Sequence, residues 1–142
     1  MNDGIRTARC CCGGLQVETT GDPGFVVACH CTECQRRTGS VFGVGAYFRK
    51  DRLSSRGTSN LYVRDAQDGR RLRIHFCPTC GTSLYWEVDF RPDYIGVAVG
   101  TFADPQFPGP MHSVWEESRH AWVRFGHQPD CFPQQSVPRR RS

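Results

Sequence analysis

Seven of the nine cysteines fall into three tight groups: Cys10 and Cys12 followed by Gly13; Cys29, Cys31 and Cys34; and Cys77 and Cys80 followed by Gly81. Two pairs and one triplet supply one closed four-thiolate site and one three-thiolate site with a position to spare. In zinc proteins a closed four-coordinate site is structural, whereas three protein ligands plus an open position permit catalysis. The cysteine pattern therefore points to an enzyme with two zinc ions per chain doing different work.

The partition into pairs and triplet follows from local geometry. In extended chain, residues i and i+2 project to one face, so Cys10 and Cys12 can share an ion while Cys11 points away. Cys77-Pro78-Thr79-Cys80-Gly81 reads as a knuckle whose two-residue gap brings both sulfurs to one metal. Neither pair closes a tetrahedron alone; together they would clip the start of the chain to a point about 65 residues later, a loop whose closure otherwise costs entropy. Cys29, Cys31 and Cys34 can cap one face of a second ion. A rival partition, in which the triplet recruits Cys131, His30 or His75, stays open on spacing alone. His30 lies between two ligands and is expected to face away from the metal, at the surface or behind the ligands. A thioredoxin-type redox pair at Cys77 and Cys80 lacks the βαβ context it needs.

With 142 residues the chain is one domain, assigned to 1–128, with 129–142 a Pro- and Arg-rich, weakly ordered tail. Fifteen glycines and nine prolines punctuate short apolar runs, which favours turns over long elements. Strands are expected at 15–19, 25–28, 41–48, 61–64, 72–76, 83–88, 94–102, 114–116 and 122–125, with one short helix at 32–37. The fold class is all-β, built of short antiparallel sheets stapled by metal. No segment approaches the roughly 18 apolar residues of a membrane span, and the N-terminus lacks the pattern of a secretion signal. A cytoplasmic protein without membrane association is expected, and in that reducing compartment clustered cysteines are metal ligands rather than disulfides.

The net charge of +4 suggests nucleic acid only at first sight. Arg139, Arg140 and Arg141 hold three of those charges in the tail, and without them the balance is 15 basic to 14 acidic residues. Phosphate-backbone binding needs a dense basic face, which the body lacks, so nucleic acid is not the expected partner.

Taken in order, C-x-C-G, C-H-C-T-E-C-Q-R-R-T-G-S, F-C-P-T-C-G-T, V-G-T-F-A-D-P and H-S-V-W-E-E-S-R-H-A-W-V make the chain resemble the glutathione-dependent formaldehyde-activating enzyme and centromere-protein-V family from about Cys10 to Phe125. The resemblance implies a β-tent fold, a structural zinc on Cys10, Cys12, Cys77 and Cys80, and a catalytic zinc on Cys29, Cys31 and Cys34. It also implies carbon–sulfur lyase chemistry of the S-(hydroxymethyl)glutathione synthase kind, joining a thiol such as glutathione to an aldehyde, formaldehyde. Cys11 and Cys131 inherit no role.

Beyond the ligands, Arg36 and Arg37 follow Cys34 and could pair with glutathione carboxylates, their alternative being a solvated turn. Glu33 could relay a proton or sit exposed. His112 is a candidate acid/base, with packing beside Trp115 as its other reading. Trp86, Trp115 and Trp122 read as core. A second class of function, a zinc-stabilised binding module contacting protein or nucleic acid without catalysis, shares the ligand pattern.

Overall fold

A computed structural model describes residues 4–66 and 69–135. Those residues form β1 (Ile5–Arg9), β2 (Gln16–Thr20), β3 (Phe25–Cys29), α1 (Thr32–Thr38), β4 (Gly43–Arg49), β5 (Leu53–Arg56), β6 (Asn60–Asp65), β7 (Arg71–Phe76), β8 (Ser83–Val88), β9 (Tyr94–Ala98), β10 (His112–Val114) and β11 (Asp130–Cys131). The chain is all-β, with α1 the one α-helix among the described residues. Among the described residues no helix is long and apolar enough to cross a membrane.

Two sheets face each other. The smaller has the order β1-β2-β5 and the larger β11-β10-β3-β4-β9-β8-β7-β6. All pairings are antiparallel except β10 with β3 and with β11, which are parallel. Side chains alternate across each strand, so the large sheet has two distinct apolar faces. One face sends Val26, Ala46, Phe48 and Val97 against Ala8 and Val17 of the small sheet and Leu15 just before β2, all essentially buried. This is the main core, and truncating a ring such as Phe48 in it should cost about 3–5 kcal/mol. The other face carries a second cluster, Ile74, Trp86 and Val88, with Tyr47, Leu72 and Phe90 beside it.

Several sequence expectations change in detail. The strand expected at 94–102 ends at Ala98, and Val99–Phe102 turns into a 3-10 helix that buries Phe102. The strand expected at 114–116 sits two residues earlier, because Trp115 takes a left-handed conformation with φ 58° and stops it. Residues 122–125 form no strand, and Trp122, expected in the core, is 71% exposed. Trp86 and Trp115 are buried as expected. β1 and β5 were not legible as strands, since Arg6, Arg9, Ser54, Ser55 and Arg56 dilute their apolar alternation. The segment read as a weakly ordered tail from residue 129 begins with β11, and the Phe132 amide donates to the Ser113 carbonyl at 2.8 Å. Arg139, Arg140 and Arg141 lie outside the described residues.

Candidate metal centre and cavity

Two cysteine clusters could each hold a metal ion: Cys10, Cys12, Cys77 and Cys80, and Cys29, Cys31 and Cys34. Within each, the sulfurs lie within 4.8 Å of one another. A tetrahedral zinc with bonds of about 2.3 Å would separate its sulfurs by about 3.8 Å. The observed 3.6 Å from Cys10 to Cys12 and from Cys12 to Cys77 fits that demand.

Each half of the four-sulfur site is a tight turn closed by glycine. The Gly13 amide donates to the Cys10 carbonyl and the Gly81 amide to the Cys77 carbonyl. Both glycines have φ near +80°, a conformation that costs a side-chain-bearing residue about 1–2 kcal/mol. The Leu15 amide donates to Cys10 Sγ at 3.2 Å, and Thr82 Oγ1 lies 3.3 Å from Cys80 Sγ. That Thr82 contact leads the pull of Cys80 down to about 5. Cys12 moves the other way, up to about 11: the Gly14 amide favours its thiolate, but Cys77 and Cys10 beside it outweigh that help. Cys10 and Cys77 belong to the main core. The cluster therefore joins the chain segment after β1 to the end of β7, across the two sheets.

The triplet is assembled by a strand end and a helix start. Cys29 closes β3, Cys31 is the N-cap of α1, and Cys34 sits in its first turn, its amide donating to Cys31 Sγ at 3.2 Å. Gly39, at φ 71°, ends the helix. Gln35 fixes the helix in place: its side-chain amide donates to the carbonyls of His30 at 2.9 Å and Ser118 at 3.2 Å, and its oxygen lies 3.1 Å from His120 Nε2. His30 does point away from the sulfurs' cavity, but it is fully buried rather than at the surface, with Nε2 2.9 Å from Ser113 Oγ.

Three neighbouring thiols resist joint ionisation. Hydrogen bonds from Cys29 and then Cys34 pull Cys31 down to about 2, with Arg64 adding a smaller electrostatic pull. The same sharing with Cys31 and Cys34 holds Cys29 far above the ordinary thiol range. One thiolate forms readily and the next is opposed, an imbalance that a divalent cation would remove. The donor set thus fits a soft-ligand metal such as zinc.

The triplet opens onto a cavity of about 430 Å³ on the outer face of the large sheet. Strand register explains the floor. Cys29 pairs with Gly43, Val27 with Gly45 and Phe25 with Tyr47, so an apolar wall starts one rung, about 7 Å, from Cys29. Beyond β4 the floor continues through β9 to Trp86, Ile74 and Val88. A Cβ on Gly45 would come within 2.7 Å of the Trp86 ring, so this glycine makes room for the indole, whose Nε1 donates to Tyr47 Oη at 3.0 Å. Burial pushes the Tyr47 hydroxyl up to about 12 and keeps it protonated.

The two arginines after Cys34 separate. Arg36 is exposed and pairs with Glu33 at 3.2 Å, so neither is free for a ligand in this arrangement. Arg37 turns into the cavity, stacking over Trp86 with its guanidinium carbon 4.7 Å from the ring centroid. Gly43 makes room for it, since a Cβ there would meet an Arg37 nitrogen at 2.6 Å. Arg64 from β6 and Arg91 also line the cavity, Arg91 over the Phe25 ring at 4.9 Å. No carboxylate among the described residues pairs with Arg37, Arg64 or Arg91. His112 lies on the wall beside Val27, with Nδ1 3.9 Å from Asp130.

Arg64, Arg91 and Tyr47 were not nameable from sequence. The available signal was Gly43-x-Gly45-x-Tyr47, glycines confined to one face of a strand, which marks a close approach. Cys131 and His75 stand apart from the triplet: Cys131 Sγ contacts the Pro129 carbonyl, and His75 stacks on Tyr85 and meets Ser59 Oγ at 3.0 Å.

The model of the family described as glutathione-dependent formaldehyde-activating enzyme matches residues 5–118, which span both cysteine clusters. The chain belongs to this family. Proteins whose names place them in the same glutathione-dependent formaldehyde-activating group include one from Fusarium vanettenii, 26% identical over 77% of this chain, and one from Penicillium rubens, 28% identical over 79%. The chain spans 63% of the length of each. A crystal structure of a Rhodobacter sphaeroides protein has a similar fold, with a TM-score of 0.54 and 26% identity over 67% of this chain and 85% of its own.

Proposed function

We propose that this glutathione-dependent formaldehyde-activating family member is a zinc-dependent carbon–sulfur lyase that makes or breaks the adduct of glutathione and formaldehyde. The observation that carries the reading is the three-sulfur cluster on the wall of a cavity lined by three arginines that, among the described residues, have no carboxylate partner. Cys29, Cys31 and Cys34 would hold the catalytic zinc and Cys10, Cys12, Cys77 and Cys80 the structural one. The catalytic ion would lower the pKa of a substrate thiol so that it is present as thiolate at neutral pH.

The chain's own residues supply the rest. Arg37, one helical turn from Cys34, offers a guanidinium fork to one glutathione carboxylate, and Arg64 and Arg91 offer partners to the other. Stacking on Trp86 and Phe25 orients Arg37 and Arg91 before a ligand arrives, which lowers the ordering cost of binding. As the sulfur adds to the aldehyde carbon, the carbon–sulfur bond forms, the carbonyl π bond opens and its oxygen takes a proton. His112, on the same wall, is positioned to donate that proton or, in reverse, to remove it.

The test is metal analysis joined to exchange kinetics. Two zinc ions per chain are expected, together with faster interconversion of glutathione, labelled formaldehyde and adduct, by NMR, than in buffer alone. Thiol binding without acceleration would point to another carbon–sulfur substrate. Failure to bind any thiol with zinc in the triplet would favour the non-catalytic binding module.

A further inference from the structure

Formaldehyde has one carbon and needs no pocket for a body, yet the apolar part of this cavity is extensive. Val27 and Phe25 lead away from Cys29 along β3, and Tyr47, Trp86, Ile74 and Val88 complete the floor from three further strands, β4, β8 and β7. Glutathione is polar throughout and leaves these surfaces unmatched, whereas its carboxylates have cationic partners at Arg37, Arg64 and Arg91. A volume of about 430 Å³ lies within the range of about 300–1,000 Å³ that encloses drug-sized organic molecules. The cavity thus has a charged part, in which Glu33 and Glu117 accompany the three arginines, and an aromatic part, both reached from the triplet.

Resting on the glutathione reading above, we infer that the electrophile this site handles is an aldehyde with an apolar, ring-sized body, seated on the floor formed by Phe25, Tyr47, Ile74 and Trp86. The step is the same addition: the sulfur bonds to the carbonyl carbon, the carbon–oxygen π bond opens, and the oxygen takes the proton that the thiol gave up. No oxidant or reductant enters. The ring packs against the edge of Trp86, whose face Arg37 covers, while the adduct's hydroxyl stays near His112, since Val27 and His112 are neighbours across β3 and β10.

Two unreactive thioethers test this without relying on turnover. S-methylglutathione and S-benzylglutathione present the same peptide and differ only in the group that occupies the electrophile's place. Binding to the full chain is read by quenching of tryptophan fluorescence and by calorimetry. Burial of the added ring should make S-benzylglutathione bind about tenfold or more tightly. Leu72→Trp, which fills the floor from its half-buried edge, should erase that preference and leave S-methylglutathione affinity within about twofold. Zinc content and circular dichroism establish that the variant is folded.

Equal affinity of the two thioethers in the unaltered chain would overturn the inference and leave the glutathione reading standing. A benzyl preference that survives Leu72→Trp in the folded protein would also overturn it, because the ring would then be seated elsewhere. If neither thioether binds, the inference is overturned, whereas the glutathione reading falls only if glutathione itself, with its ionisable thiol, fails to bind the zinc-loaded chain. In turnover, glutathione with phenylacetaldehyde should be accelerated at least as much as glutathione with formaldehyde.

Discussion

The two cysteine clusters use the same ligand atom at the same short spacings, yet they sit in opposite surroundings. Cys10 and Cys77 are embedded in the main core between the sheets, and the turns they anchor come from segments 65 residues apart in the chain. Cys29, Cys31 and Cys34 come from one continuous stretch and lie on the large sheet's outer face, against a cavity. An ion in the first site would hold distant chain segments together. In the second it would hold almost nothing that β3 and α1 do not already hold. Topology, more than ligand chemistry, would then separate a staple from a workplace.

The sharpest way to break this contrast is to remove one sulfur from each cluster. Cys77→Ser should cost most of the fold, because structural zinc is worth about 10–16 kcal/mol in small peptides and ordinary domains are stable by only about 5–15 kcal/mol. Cys31→Ser should keep the fold, since Gln35 still anchors α1 to His30 and Ser118, while losing one metal and nearly all activity. Thermal melts with metal analysis decide it. The reverse order of damage would exchange the two assignments.

Next in size is the pair of adjacent arginines. Arg37→Ala should raise KM for glutathione by about ten- to a hundredfold, the scale of a charge-assisted contact, with the melting temperature little changed. Arg36→Ala removes only an exposed ion pair with Glu33 and should shift KM by less than about twofold. Equal effects from the two would mean that the cavity in which Arg37 lies is not where the thiol binds.

How far the sequence could see depends on the range of the signal. The closed cluster was readable because C-x-C-G and C-P-x-C-G each dictate a local turn, and each pair lacks the ligands to finish alone. The strands at 25–28, 72–76 and 83–88 were readable because apolar and β-branched residues alternate there without interruption. The cavity was not, because Arg64 and Trp86 reach it only through the order β4-β9-β8-β7-β6, a consequence of long-range pairing that no local pattern encodes. Trp122 misled because hydrophobicity alone does not say whether a loop covers a ring; here it is exposed near His120.

Glycines sharpen the comparison at a smaller scale. Gly45→Ala should destabilise by about 1–3 kcal/mol through overpacking against Trp86 and should disturb the cavity floor. Gly81→Ala meets no atom within 4 Å, so its cost is the positive φ alone, about 1–2 kcal/mol, paired with weaker metal retention in the closed site. Denaturant titration gives the energies. Metal retention in the presence of chelator should separate the two variants, since only Gly81→Ala loosens a ligand turn.

The smallest effects are expected at the two cysteines outside both clusters. Cys11 is exposed, and its backbone amide donates to Thr82 Oγ1, a bond that serine at this position preserves. Cys131 is exposed on β11, with Sγ meeting the Pro129 carbonyl at 3.4 Å, a contact that a serine hydroxyl can also make. Cys11→Ser and Cys131→Ser should therefore each change stability by less than about 0.5 kcal/mol and leave two zinc ions per chain. Cys11 is the more demanding case, because it stands between Cys10 and Cys12, two proposed ligands of the closed site. If Cys11→Ser released metal, that site would be exchanging one of its four sulfurs for a fifth, and the division into a fixed staple and an open triplet would have to be redrawn.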